Sequence, residues 1–102
     1  MLSKTNLSKI ADFFADKPVK RTYLFGSFVR SQEKADSDID LMIEIDYKNC
    51  KVSLLDFIGW KMELENIMHK EVDLVSSDGL SKYMKPYIDK EKKLIYERPS
   101  KR

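Results

Sequence analysis

The run Asp38-Ile39-Asp40-Leu41-Met42-Ile43-Glu44-Ile45 is the segment that most narrows what this chain can become. Ile39, Leu41, Ile43 and Ile45 fall on alternate positions, with Asp38, Asp40, Met42 and Glu44 between them. A repeat of two is that of a strand, so the spacing predicts a strand over 38–45 with its aliphatic face on a core. The same repeat puts Asp38 and Asp40 together on the opposite face. Aspartate is a poor strand former, and like charges on one face repel. Something must offset that cost: a divalent cation is the natural candidate, because hard cations bind carboxylate oxygens, and a strand edge on which both carboxylates simply face water is the alternative.

The flanking sequence predicts alternating helices and strands. Leu7, Ile10, Ala11 and Phe14 lie at helical spacing, and Lys17-Pro18 ends that helix after residues 5–16. Arg21 to Phe25 reads as a buried strand, Gly26-Ser27 as a turn into a short helix over 28–32, and residues 33–37 as a polar loop. Ser53 followed by Asp56 resembles a capping box, so a helix should run to Met68. Leu54, Phe57, Trp60, Leu64 and Ile67 form its apolar stripe, widened by Leu55, Ile58 and Met62. Met62 and Met68 read as gap-filling core residues. His69 reads as an aid to the C-terminal cap of that helix. Glu71 to Val75 is a short strand, residues 80–93 are helical with Pro86 in a first turn, and Leu94 to Tyr96 is a last strand. The fold class is therefore α/β (α+β), a small mixed sheet of about four strands with helices packed on it.

Composition removes several function classes. The apolar fraction of 42% is too high for a disordered chain. No apolar run is long enough for a membrane span or a signal peptide, so a soluble cytoplasmic protein with no membrane partner is expected. One cysteine, Cys50, and one histidine, His69, exclude a disulfide framework and a zinc site of the His/Cys kind. The formal charge of +2 is unevenly spread. Residues 81–102 carry 8 basic and 3 acidic side chains, against 11 and 14 in residues 1–80. That density is too low to predict direct nucleic-acid binding, but it suits a solvated helix and a frayed basic end, or a patch for a phosphate-bearing ligand or an acidic partner. A single domain over 1–97 and a basic tail over 98–102 are expected.

Two further features join the aspartates. Phe25-Gly26-Ser27 closes a strand and opens a helix, where free backbone N–H groups, a glycine and a hydroxyl offer a candidate phosphate cradle. Asp73 places a third carboxylate inside the apolar strand Val72–Val75.

Leu24-Phe25-Gly26-Ser27, ten residues, then Asp38-Ile39-Asp40-Leu41 resembles the signature of the polymerase-beta-type nucleotidyltransferase superfamily. Ser53 to Phe57, Glu71 to Val75, Tyr83 to Ile88 and Leu94 to Glu97 extend the resemblance to its minimal nucleotidyltransferase (MNT) family, over about residues 7–97. The resemblance implies a nucleotidyltransferase fold. It implies that Asp38, Asp40 and Asp73 are catalytic and hold two Mg²⁺ ions, with Asp73 the candidate general base. It places Gly26, Ser27 and Arg30 on the phosphates of ATP. The family commonly has glycine after that arginine and a basic residue soon after Gly-Ser; Ser31 and Phe28 stand there in this chain.

The same resemblance implies adenylyl transfer from ATP to a tyrosine of a HEPN-domain ribonuclease toxin, with this chain as the antitoxin and in complex with its partner. An alternative is a non-catalytic antitoxin or nucleotide-sensing module that neutralises its partner by docking alone. A weaker alternative is transfer to a small molecule such as an aminoglycoside, for which members of the superfamily usually carry a second domain. With so little chain beyond the nucleotide site, another polypeptide is expected to complete it, the basic residues 81–102 offering part of the contact surface.

Overall fold

A computed structural model describes residues 4–26, 38–48, 51–79 and 83–99. The elements in chain order are α1 (Lys4–Ala15), β1 (Val19–Phe25), β2 (Ile39–Ile45), α2 (Leu54–Met68), β3 (Val72–Ser76), α3 (Met84–Glu91) and β4 (Lys93–Glu97), with a 3-10 turn at Ser77–Gly79. The sheet has the order β3-β2-β1-β4. β1 runs antiparallel to β2 and β4, while β2 and β3 are parallel. A parallel neighbour needs a crossover connection, and α2 supplies it. The expected mixed sheet of four strands is thus present.

Local chemistry explains the boundaries. α1 stops before Lys17-Pro18, where Lys17 N–H donates to Phe14 O at 3.1 Å. β1 begins two residues before the expected Arg21 because Asp46 N–H donates to Pro18 O at 2.8 Å and draws Val19 into the ladder. α2 opens on the predicted capping box: Ser53 Oγ accepts from Asp56 N–H, and Asp56 Oδ2 accepts from Ser53 N–H. His69 closes it in the left-handed conformation, at φ 56°, with its N–H on Glu65 O. Pro86 sits in the first turn of α3, where its missing N–H costs nothing. That helix ends at Glu91, before the expected residue 93, because Lys92 already has an extended backbone and leads into β4; residues 80–82 lie outside the described residues.

The sheet has two unequal faces. Leu24, Ile39, Leu41, Ile43, Val72 and Leu74 pack against Ile10 and Phe14 of α1 and Trp60 and Leu64 of α2. On the other face Phe25 and Met42 are covered by Ile88 of α3, with Tyr23 and Val75 alongside. Asp40 and Glu44 share that second face with Met42, as the alternation predicts.

One expectation fails in α2. Leu54, Leu55, Ile58, Met62 and Ile67 are exposed, and Met62 is 59% accessible rather than a core filler. Trp60 and Leu64 face the sheet, so Leu55, Ile58 and Met62 point away from it on the opposite side of the same helix. Apolar spacing marks both arcs of α2, and only the single layer beneath it determines which one is covered. Among the described residues, no helix is long and apolar enough to cross a membrane.

Candidate active site

The ends of three strands meet on the α3 face of the sheet. In the parallel ladder Asp40 of β2 is the register partner of Asp73 of β3, so both carboxylates stand on one face on adjacent strands. Adjacent strands lie about 4.8 Å apart, which makes this a like-charge pair of the kind that destabilises a sheet. Asp40 is half-buried and Asp73 is exposed. Asp38 is exposed at the entrance to β2, one residue before the strand begins. The structure thus brings Asp40 and Asp73 together. Among the described residues no three acidic, histidine or cysteine side chains close on a common point.

Gly26 borders the pair from the other side. Phe25 is the register partner of Asp40, so the turn after β1 lies beside that carboxylate. Gly26 is buried with φ 78°, a backbone conformation that L side chains rarely adopt. A Cβ on it would collide with the Asp40 carboxylate, lying 2.9 Å from its Cγ. Glycine is required twice over, for its backbone angle and for the space Asp40 fills. The Gly26 N–H donates to Glu91 Oε1 at 3.1 Å, tying the turn to the end of α3. Ser27 and Arg30 lie outside the described residues, as do the expected helix over 28–32, the loop over 33–37 and Cys50.

A hollow of about 330 Å³ opens beside these groups, lined by Phe25, Gly26, Asp40, Met84, Tyr87, Ile88 and Glu91. Sequence reading gave no site role to Glu91, Met84 or Tyr87, although Met84 and Tyr87 lie in the segment Tyr83 to Ile88 that carries part of the resemblance. One available signal was charge: a glutamate at the C-terminal end of a helix opposes the helix dipole. Further along the same face, Lys92 Nζ lies 4.4 Å over the Tyr23 ring and 2.9 Å from Asp89 Oδ1. The bond to Asp89 raises the Lys92 pKa. Burial, then the Glu44 carboxylate 3.2 Å away, raises that of Tyr23. These groups give the face a fixed cation beyond the carboxylates.

The donor set suits a hard divalent cation: carboxylates on neighbouring strands, one of them fenced by a glycine turn that leaves no room for a side chain. The chain belongs to the family described as "Polymerase beta, Nucleotidyltransferase", whose profile matches residues 8–101.

A chain of Methanocaldococcus jannaschii, MJ0435, carries the name of a candidate protein adenylyltransferase. It is 36% identical over 80 residues, spanning 78% of this chain and 83% of its own. The crystal structure of a toxin–antitoxin pair with AMP-PNP superposes with a TM-score of 0.78 at 20% identity, covering 90% of this chain and 73% of the other. A complex of a tri-AMPylated HEPN toxin of Shewanella oneidensis with an MNT antitoxin gives 0.74 at 19% identity, covering 94% and 73%. At these identities the two structures share the fold.

Proposed function

We propose that this nucleotidyltransferase moves an adenylyl group from ATP to a tyrosine hydroxyl of a HEPN toxin and acts as its antitoxin, with Mg²⁺ as cofactor. The observation that carries this reading is the Asp40–Asp73 register pair beside the Gly26 turn. The relative named for protein adenylylation and the AMPylated toxin complex support the choice of group and acceptor.

Asp38, Asp40 and Asp73 would hold two Mg²⁺ ions. When bound, these neutralise triphosphate charge and favour in-line displacement at the α-phosphate. Asp73, exposed at the sheet edge, takes the proton from the incoming hydroxyl. The acceptor oxygen bonds to the α-phosphorus and pyrophosphate leaves. Ser27 and Arg30 take the β- and γ-phosphates. Gly26 contributes its conformation, since its N–H is given to Glu91.

The test mixes the purified chain with its HEPN partner, Mg²⁺ and α-labelled ATP. Label should pass to the toxin, and Asp40→Asn or Asp73→Asn should abolish the transfer. Transfer that survives both substitutions overturns the assigned site.

A second reading, neutralisation by docking alone, is favoured by the exposed apolar side of α2. A triple Asp38→Asn, Asp40→Asn, Asp73→Asn chain that still neutralises the toxin would establish it.

A further inference from the structure

α3 is a short helix that buries one residue, Ile88, at 3% exposure. Met84, Tyr87, Ile88 and Glu91 follow the i, i+3, i+4, i+7 spacing and share one side of the helix. Ile88 anchors that side on Phe25 and Met42. Its neighbours Tyr87 and Met84 stay 76% and 51% exposed, yet both line the same hollow as Asp40 and Gly26. Scattered apolar residues on a surface need no explanation, but an aromatic ring and a thioether in one concave wall beside a reactive carboxylate do.

The hollow is mixed in chemistry: the Asp40 and Glu91 carboxylates and the Gly26 turn line it together with Tyr87, Met84 and the buried Ile88. Its volume of about 330 Å³ is that of a small-ligand site. A ligand matched to it has a charged, reacting end and a flat apolar end. A nucleotide has both, and a base stacks on an aromatic face or a polarizable sulfur without needing a specific hydrogen bond.

We infer that Tyr87 and Met84 of α3 form the platform on which the nucleobase of the triphosphate rests. The inference builds on the proposed nucleotide-transfer function and adds where the base lies and which side chains hold it. In the proposed function Ser27 and Arg30 take the β- and γ-phosphates, so the base and the polyphosphate should respond to different substitutions.

The experiment uses the full chain with Mg²⁺ and compares calorimetric binding of ATP with that of inorganic tripolyphosphate, which has no base. Tyr87→Ala should weaken ATP roughly 5- to 150-fold and leave tripolyphosphate unchanged. Tyr87→Phe, which keeps the ring, should bind ATP as the parent does, and Met84→Ala should weaken ATP less than Tyr87→Ala. Because Tyr87 is exposed, its replacement does not threaten the core. Unchanged ATP affinity in Tyr87→Ala overturns the inference, as does an equal loss for both ligands. If the parent chain binds ATP no better than tripolyphosphate, the base makes no contact and the inference falls while the triphosphate reading stands. If it binds neither, the nucleotide-transfer reading itself falls.

Discussion

The carboxylate of Asp40 fills the position that a side chain would need at Gly26. The consequence is that residue 26 sets the orientation of a candidate metal ligand fourteen positions away in sequence. Gly26→Ala should cost about 1–2 kcal/mol for the left-handed backbone alone. Displacing Asp40 should also lower label transfer by about a hundredfold.

Glu91 holds the same turn through its bond to the Gly26 N–H. Removing the acceptor with Glu91→Ala strands a buried donor and should cost about 1–3 kcal/mol, with weaker ATP binding. Glu91→Gln keeps an oxygen acceptor and should restore both. Melting curves and ATP titrations on the pair decide it: a Glu91→Ala chain with the parent's melting temperature and ATP affinity rules out the positioning role.

Thr22 lies on the core face of β1, fully buried, and its hydroxyl has no hydrogen-bond partner among the described residues. A valine has nearly the same shape and carries no polar atom into the core. Thr22→Val should therefore stabilise the fold by about 1 kcal/mol. That corresponds to a rise in Tm of about 4–8 °C for a domain of this size. Chemical denaturation read by the Trp60 fluorescence provides the check.

Asp46, 3% exposed, is ion-paired with Arg98, whose Nη2 lies 2.7 Å from Asp46 Oδ2. Arg98 N–H also donates to Lys20 O, so the residue that opens the expected basic tail is fastened to β1 and to the end of β2. Removing Arg98 takes one hydrogen-bonded cation from a buried carboxylate. Arg98→Ala should lower stability by about 1–3 kcal/mol, whereas Lys93→Ala, on an exposed strand position, should change it little. Equal melting temperatures for the two variants would contradict this.

Glu65 links α2 to the start of β3. Its Oε2 accepts from Val72 N–H at 3.1 Å and from Lys61 Nζ at 3.0 Å. The Val72 bond first, then Lys61, lowers its pKa below the ordinary value of 4.5. The folded state thus favours the carboxylate. The stabilisation is present above the unfolded pKa and is lost as pH falls through the lowered folded value. The parent chain should melt above Glu65→Gln at neutral pH. The gap should close as the solution is acidified below the ordinary value, and a gap independent of pH would sink the assignment.

Alternation along 39–45 determined β2 and its core face without any tertiary information, because one strand carries its own two-fold repeat. Spacing alone likewise placed the α2 capping box, whose partners are three residues apart. Gly26-Ser27 and Asp38-Ile39-Asp40 at a fixed distance carried the resemblance that pointed to the family. Tertiary structure decided what depends on residues far apart in sequence. Asp73 became the neighbour of Asp40 only through the parallel register of β3. Glu91, sixty-five positions from Gly26, became its acceptor only because α3 lies across the end of β1. The outward turn of Leu55, Ile58 and Met62 followed from α2 having one sheet beneath it and nothing described above it. An apolar period says that a face can be buried, and which face is covered depends on where the neighbouring layers lie.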